Sequence, residues 1–241
     1  MNPFIPTAVQ ELLAKPVAFY KEHQSDAAST SAPLTNVAFV LDCSGSMSHG
    51  KEATIEGFNA QVQVIRDGAK DAGATTFTDV QFSSEVNLKT VAGDLDHLAP
   101  LNNATYQPGG NTALLDAIGA TVAALLATKN INSPDTATLV TTFTDGQENA
   151  SRIYSAALIR DMVQRLEATG RWTFALVGPQ TTVAGLADML AIRASNVAGY
   201  DETSIADKTA AFRKVSMANE MMMFKRKDGS KQFDSLYDTQ A

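Results

Sequence analysis

Hydrophobic periodicity divides the chain near residue 36. Before it, Val9, Leu12, Leu13 and Val17 share one face if residues 7–22 coil, so one short helix is expected there, docked on the main body. Residues 24–35 are rich in Ser, Ala, Thr and Asp and read as a linker. Val37-Ala38-Phe39-Val40-Leu41 is a continuous apolar run, the pattern of a strand buried on both faces. A polar loop from Asp42 to Gly50 follows, then apolar residues at three- and four-residue steps, Ile55, Phe58, Val62, Ile65 and Ala69, which predict a helix. Residues 76–82 and 86–91 alternate around Ser83-Ser84-Glu85 and predict an antiparallel hairpin. Helices are expected around Leu114–Leu126, Leu158–Leu166, 183–192 and 204–223, and strands at 139–143, 172–177 and 197–200. Strands alternating with helices imply a mostly parallel central sheet covered by helices on both faces. The organisation expected is a leader (1–35), one α/β domain (36–218), and a helix end with a free tail (219–241). The basic cluster at Lys225-Arg226-Lys227 reads as a solvated helix end.

Composition narrows the function. The 241 residues carry a net charge of -7, which argues against phosphate-backbone binding, since nucleic-acid modules show a basic footprint. Cys43 is the single cysteine, so no intramolecular disulfide can form, and with three histidines there is no Cys-His zinc spacing. The N-terminus lacks a positively charged segment followed by an apolar run of the secretory type, and no apolar stretch reaches the roughly 18–20 residues of a membrane span. A cytoplasmic protein with no nucleic-acid or membrane partner is expected.

The candidate chemistry lies at the ends of the predicted strands. Asp42-Cys43-Ser44-Gly45-Ser46 sits where the first buried strand runs out, and Asp42, Ser44 and Ser46 offer one carboxylate and two hydroxyls. Gly45 is expected to let the backbone turn tightly between them. Gly109-Gly110-Asn111-Thr112 precedes a helix, and Thr144-Asp145-Gly146 follows the strand at 139–143. In a parallel sheet these segments meet at the carboxyl edge, where ligands bind. Two carboxylates and three hydroxyls, with no sulfur or imidazole, suit a hard divalent cation: Mg²⁺ first, with Mn²⁺ or Ca²⁺ as alternatives.

These residues resemble the metal-ion-dependent adhesion site of a von Willebrand factor A domain. Asp42, Ser44 and Ser46 match the family's Asp-x-Ser-x-Ser motif, Thr112 its threonine, and Asp145 its second aspartate. The resemblance spans roughly residues 36–217. It implies a three-layer, doubly wound, Rossmann-like fold with one antiparallel edge strand. It also implies that Asp42, Ser44, Ser46 and Thr112 surround the metal, with Asp145 acting through water, and that the function is metal-dependent binding of a partner's Asp or Glu. The intracellular branch, found with ATPase machines and in stress-response and defence operons, is the nearer one for a chain without paired cysteines.

Each signal has a plainer reading. Asp and Ser favour turns and helix N-caps, and Thr112 could cap its own helix. Cys43 is expected to be inert, because no histidine is placed to activate it. Glu148 and Asn149 either line a groove or cap a helix starting near Ser151. His49 reads as a solvated loop residue, and Met221-Met222-Met223 as helix packing. Two other functions compete: a Mg²⁺-dependent phosphoryl-transfer hydrolase with Asp42 as nucleophile, and a structural metal staple with binding through leader or tail. The hydrolase reading lacks the second acid expected two residues after Asp42, where Ser44 stands.

Overall fold

The computed structural model describes residues 4–22 and 33–238. Six strands form one sheet: β1 (Leu34–Asp42), β2 (Ala74–Phe82), β3 (Val86–Asp94), β4 (Thr136–Phe143), β5 (Trp172–Pro179) and β6 (Val197–Tyr200). Their order is β3-β2-β1-β4-β5-β6, all parallel except β3, which pairs antiparallel with β2 at the edge. This is the doubly wound order, in which strand order reverses between β1 and β4. Residues of β1 and β4 that pair in register, from Leu34↔Thr136 to Leu41↔Phe143, bring the two strand ends side by side.

Seven helices flank the sheet among the described residues: α1 (Thr7–Leu13), α2 (Val17–Glu22), α3 (Lys51–Ala72), α4 (Leu114–Leu126), α5 (Ala156–Ala168), α6 (Val183–Leu190) and α7 (Ile205–Lys227). The strict alternation of side chains along a strand separates two cores. Ala38, Val40, Val140 and Leu176 pack under α1, α4, α5 and α6. Val37, Phe39, Leu41, Leu139 and Val177 pack under α3 and α7. On that second face Phe39, Phe58, Phe77, Phe143 and Phe212 interlock with centroids 5.1–6.1 Å apart. Helices α3 and α7 approach closely enough that a Cβ on Gly57 would stand 2.3 Å from the Phe212 ring.

Four expectations need correction. The leader is two helices, because Pro16 lacks an N–H and its ring clashes with the preceding turn. Helix α1 does dock in cis, with Val9 and Leu12 in the first core. The linker expected at 24–35 lies outside the described residues as far as position 32, and Leu34 and Thr35 already belong to β1. The basic cluster is not a solvated helix end throughout, since Arg226 is 2% exposed. Its guanidinium donates to Thr35 Oγ1 (2.9 Å) and to the carbonyls of Ser230 (2.7 Å) and Asp135 (3.0 Å). Nor is the chain after α7 free: Phe233 and Tyr237 are buried in the second core, and the Phe233 N–H donates to Thr173 Oγ1. Of the methionine run, Met222 and Met223 are core and Met221 is exposed.

Candidate metal centre

Asp42 ends β1 fully buried, and both carboxylate oxygens are held. Oδ1 accepts from the Ser44 N–H at 2.7 Å and Oδ2 from the Thr144 hydroxyl at 2.6 Å. Burial pushes its carboxyl above the ordinary value, the hydrogen bonds from Thr144 and Ser44 work against burial, and the nearby Asp145 charge adds to the rise. The carbonyl of Asp42 accepts from Tyr106 Oη at 2.6 Å. Cys43 packs against the α3/α7 core, and burial raises its thiol.

After Asp42 the chain makes a 3-10 turn, Gly45–Ser48. Gly45 is not in the left-handed region, contrary to the role expected of it. Near the site, Gly50 (φ 78°), which caps α3, and Gly110 (φ 80°) do hold a backbone that an ordinary side chain would strain. The 109–112 loop is stitched to this turn by main-chain bonds, Gly45 N–H to the Gly110 carbonyl (3.1 Å) and Gly109 N–H to the Cys43 carbonyl (2.9 Å). Thr112 precedes the cap position Ala113, which has no side-chain cap bond, so its hydroxyl is not spent on the helix.

The third segment is clamped to α4. Asn149 Oδ1 accepts from the Thr112 N–H (2.9 Å), and Glu148 Oε2 from the Leu115 N–H (2.9 Å) in the first turn of α4. Asp116 returns the grip by accepting from the N–H groups of Arg152, Ile153 and Tyr154 at 2.8–2.9 Å. Glu148 Oε1 also accepts from the N–H groups of Ala150 and Ser151, so Glu148 and Asn149 tie their own loop to the start of α4 and cap no helix at Ser151; the next helix starts at Ala156, with Ser155 accepting from the Leu158 N–H.

These constraints bring all five expected residues together. Ser46 Oγ donates to Asp145 Oδ1 at 2.6 Å and lies 3.1 Å from Ser44 Oγ. A Cβ placed on Gly146 would stand 2.8 Å from Thr112 Oγ1 and 3.5 Å from both Ser44 Oγ and Ser46 Oγ. Three hydroxyls from two loops thus face one small cradle, which only glycine on the third loop leaves open. Among the described residues no group of three or more His, Cys, Asp or Glu gathers for a metal. A cleft of about 370 Å³ opens over it, lined by Ser46, His49, Asp145, Tyr200, Glu202, Thr203 and Lys208. A second, of about 590 Å³, begins on the other side of Gly146 and runs between α5 and α6.

Two participants escaped the sequence reading. Thr144 adjoins Asp145 and was there to be named, since a hydroxyl at a strand end next to the motif is a ready partner for Asp42. Lys208 carries no local signal: it lies 63 residues or more from each of the other site residues and reads as a solvated helix lysine. It is 5% exposed, with Nζ 3.8 Å from Asp145 Oδ2 and 3.3 Å from the His49 carbonyl. Burial lowers its pKa, and the charges of Asp145 and Asp42 oppose that.

Solved structures share this architecture. The pilus adhesin SpaC from Lactobacillus rhamnosus GG, in its open conformation, aligns with a TM-score of 0.58 at 12% identity over 81% of this chain and 31% of its own. The vWF domain of the type V pili tip protein Mfa5 from Porphyromonas gingivalis aligns at 0.56 and 10% over 80% and 97%. Proximal thread matrix protein 1 from the mussel byssus, with a zinc-occupied MIDAS motif, aligns at 0.53 and 17% over 80% and 46%. The chain thus spans less than half of the mussel protein and of SpaC. No curated protein sequence matches it. A family model for the von Willebrand factor type A domain matches residues 36–219, the stretch from the first core strand into α7 that builds both the sheet and the oxygen cluster. The chain belongs to the von Willebrand factor type A domain family.

Proposed function

We propose that Asp42, Ser44, Ser46, Thr112 and Asp145 form a metal-ion-dependent adhesion site that holds one divalent cation and through it grips an Asp or Glu carboxylate of a partner protein. The observation that carries this reading is the cradle at Gly146, where hydroxyls from separate loops converge beside Asp145. The bound ion would supply a Lewis-acidic position for an outside anion. The chain's part is to furnish hard oxygens while holding back charge: three of the five donors are neutral hydroxyls, and fewer than the about six ligands Mg²⁺ demands are protein carboxylates. The mussel protein's zinc-occupied motif supports a metal at this position, and the absence of sulfur and imidazole from the donor set is the reason to place Mg²⁺ ahead of zinc. A partner from an ATPase, stress-response or defence assembly in the cytoplasm completes the reading.

Neither competing function draws support from the geometry. Both oxygens of Asp42 accept hydrogen bonds, which leaves that carboxylate poorly placed as a nucleophile. The three loops are already joined by main-chain and side-chain bonds, so a stapling ion has little left to hold. The test is capture from native lysate on immobilised protein, in Mg²⁺ and in EDTA, with a folded Asp42→Ala variant alongside. A partner recovered only by the native chain and only with Mg²⁺ is the expected result. Equal recovery by Asp42→Ala, or in EDTA, would refute the adhesion reading.

A further inference from the structure

Lys208 stands against the candidate site without belonging to its motif, and its position has a consequence for charge. The ammonium is held from several sides: the His49 carbonyl at 3.3 Å, Met47 Sδ at 3.7 Å, the face of the Tyr200 ring with its centroid at 5.9 Å, and Asp145 Oδ2 at 3.8 Å. The stem packs against the backbone of Gly50, where a Cβ would meet Lys208 Cδ at 3.2 Å. It is the fourth residue of α7 and is 5% exposed, so its side chain is enclosed beside the site rather than extended into solvent. The nearby acid Glu202 is exposed and screened by water, so it contributes little to the local balance.

Two carboxylates alone, Asp42 and Asp145, would neutralise a divalent ion. Adding the lysine leaves one positive charge over when the site is filled. In a partly buried site this surplus is felt strongly, because few water dipoles intervene. Resting on the metal-site reading above, we propose that Lys208 is a built-in counter-cation. It holds the affinity for the metal down and makes the loaded site select an anionic ligand, a single carboxylate, over a neutral one. It is a positioning residue of electrostatic kind, acting through Asp145.

The test reads metal and anion separately. Mn²⁺ is titrated calorimetrically into the full chain and into Lys208→Met and Lys208→Gln, two neutral side chains of similar length. Acetate is then titrated into each Mn²⁺-saturated protein, and loss of metal-bound water is followed by proton relaxation. The expected result is Mn²⁺ affinity raised roughly tenfold or more in both variants, with acetate affinity lowered. A gain of metal affinity cannot come from a damaged fold, which separates charge from structure. Unchanged or weaker Mn²⁺ binding in a folded variant, with the native chain binding normally, would overturn the role of Lys208 alone. Failure of every form to bind Mn²⁺ would overturn the metal site and this inference together.

Discussion

Asp42 and Asp79 are both buried carboxylates, and their surroundings set them apart. Asp42 has an acceptor role for each oxygen, as a group built to stay in place beside a ligand should. Asp79, inside β2, takes one hydrogen bond from Gln81 to Oδ2 and has no partner for Oδ1 among the described residues. Burial pushes it up from 3.8 to about 6, with Gln81 and the Lys89 charge opposing. A folded-state pKa above the unfolded one means that the native protein holds the proton more tightly. The stability this confers is present at pH 4 and lost as pH rises through about 6. Asp79→Asn removes the penalty. Its stability relative to the native chain should therefore rise between pH 4 and pH 7, by up to about 3 kcal/mol. Urea unfolding at the two pH values measures this, and a difference independent of pH would show that Asp79 is not strained by its charge.

At the level of elements, the loop bearing Asp145 is fixed by a reciprocal exchange with α4. Asp116 accepts three consecutive N–H groups of that loop, while Glu148 and Asn149 reach back to Leu115 and Thr112. Asp116→Ala should cost about 2–3 kcal/mol through unsatisfied donors, speed amide exchange at 152–154, and weaken metal affinity. Unchanged exchange there would separate the loop from α4. The spacing of apolar residues located the helices of the domain, because burial on one face imposes the period, and continuous apolar runs located the strands that are buried on both faces. The three motif loops were legible for the same reason, each falling at the end of a strand or the start of a helix. The break at Pro16 was also written in the chain, since a proline inside a helical pattern stops it. The partners of Glu148, Asn149 and Asp116 were not, because they lie 33 to 38 residues away and are decided by how β4 returns beside α4.

For the whole molecule, the strand order places the ends of β1 and β4 together at the reversal point, and this makes one site of three distant motifs. Lys208 and Arg226 show the limit of reading by local pattern. Each looks like a solvated lysine or arginine of α7, yet one faces Asp145 and the other binds the carbonyls of Asp135 and Ser230 beside Thr35. Helix α7 thereby touches the candidate site at its first turn and ties down the opposite end of the sheet at its last. Among the described residues no helix is long and apolar enough to cross a membrane. In the proposed site, hydroxyls and carboxylates from three loops cage one hard ion. Anomalous diffraction from crystals grown with Mn²⁺ tests it most directly. A single strong peak in the cradle beside Gly146, within about 2.0–2.3 Å of Ser44 Oγ and Ser46 Oγ, is the result the account requires. A cradle without a peak in fully Mn²⁺-equilibrated crystals, or a peak held by other residues, would contradict it.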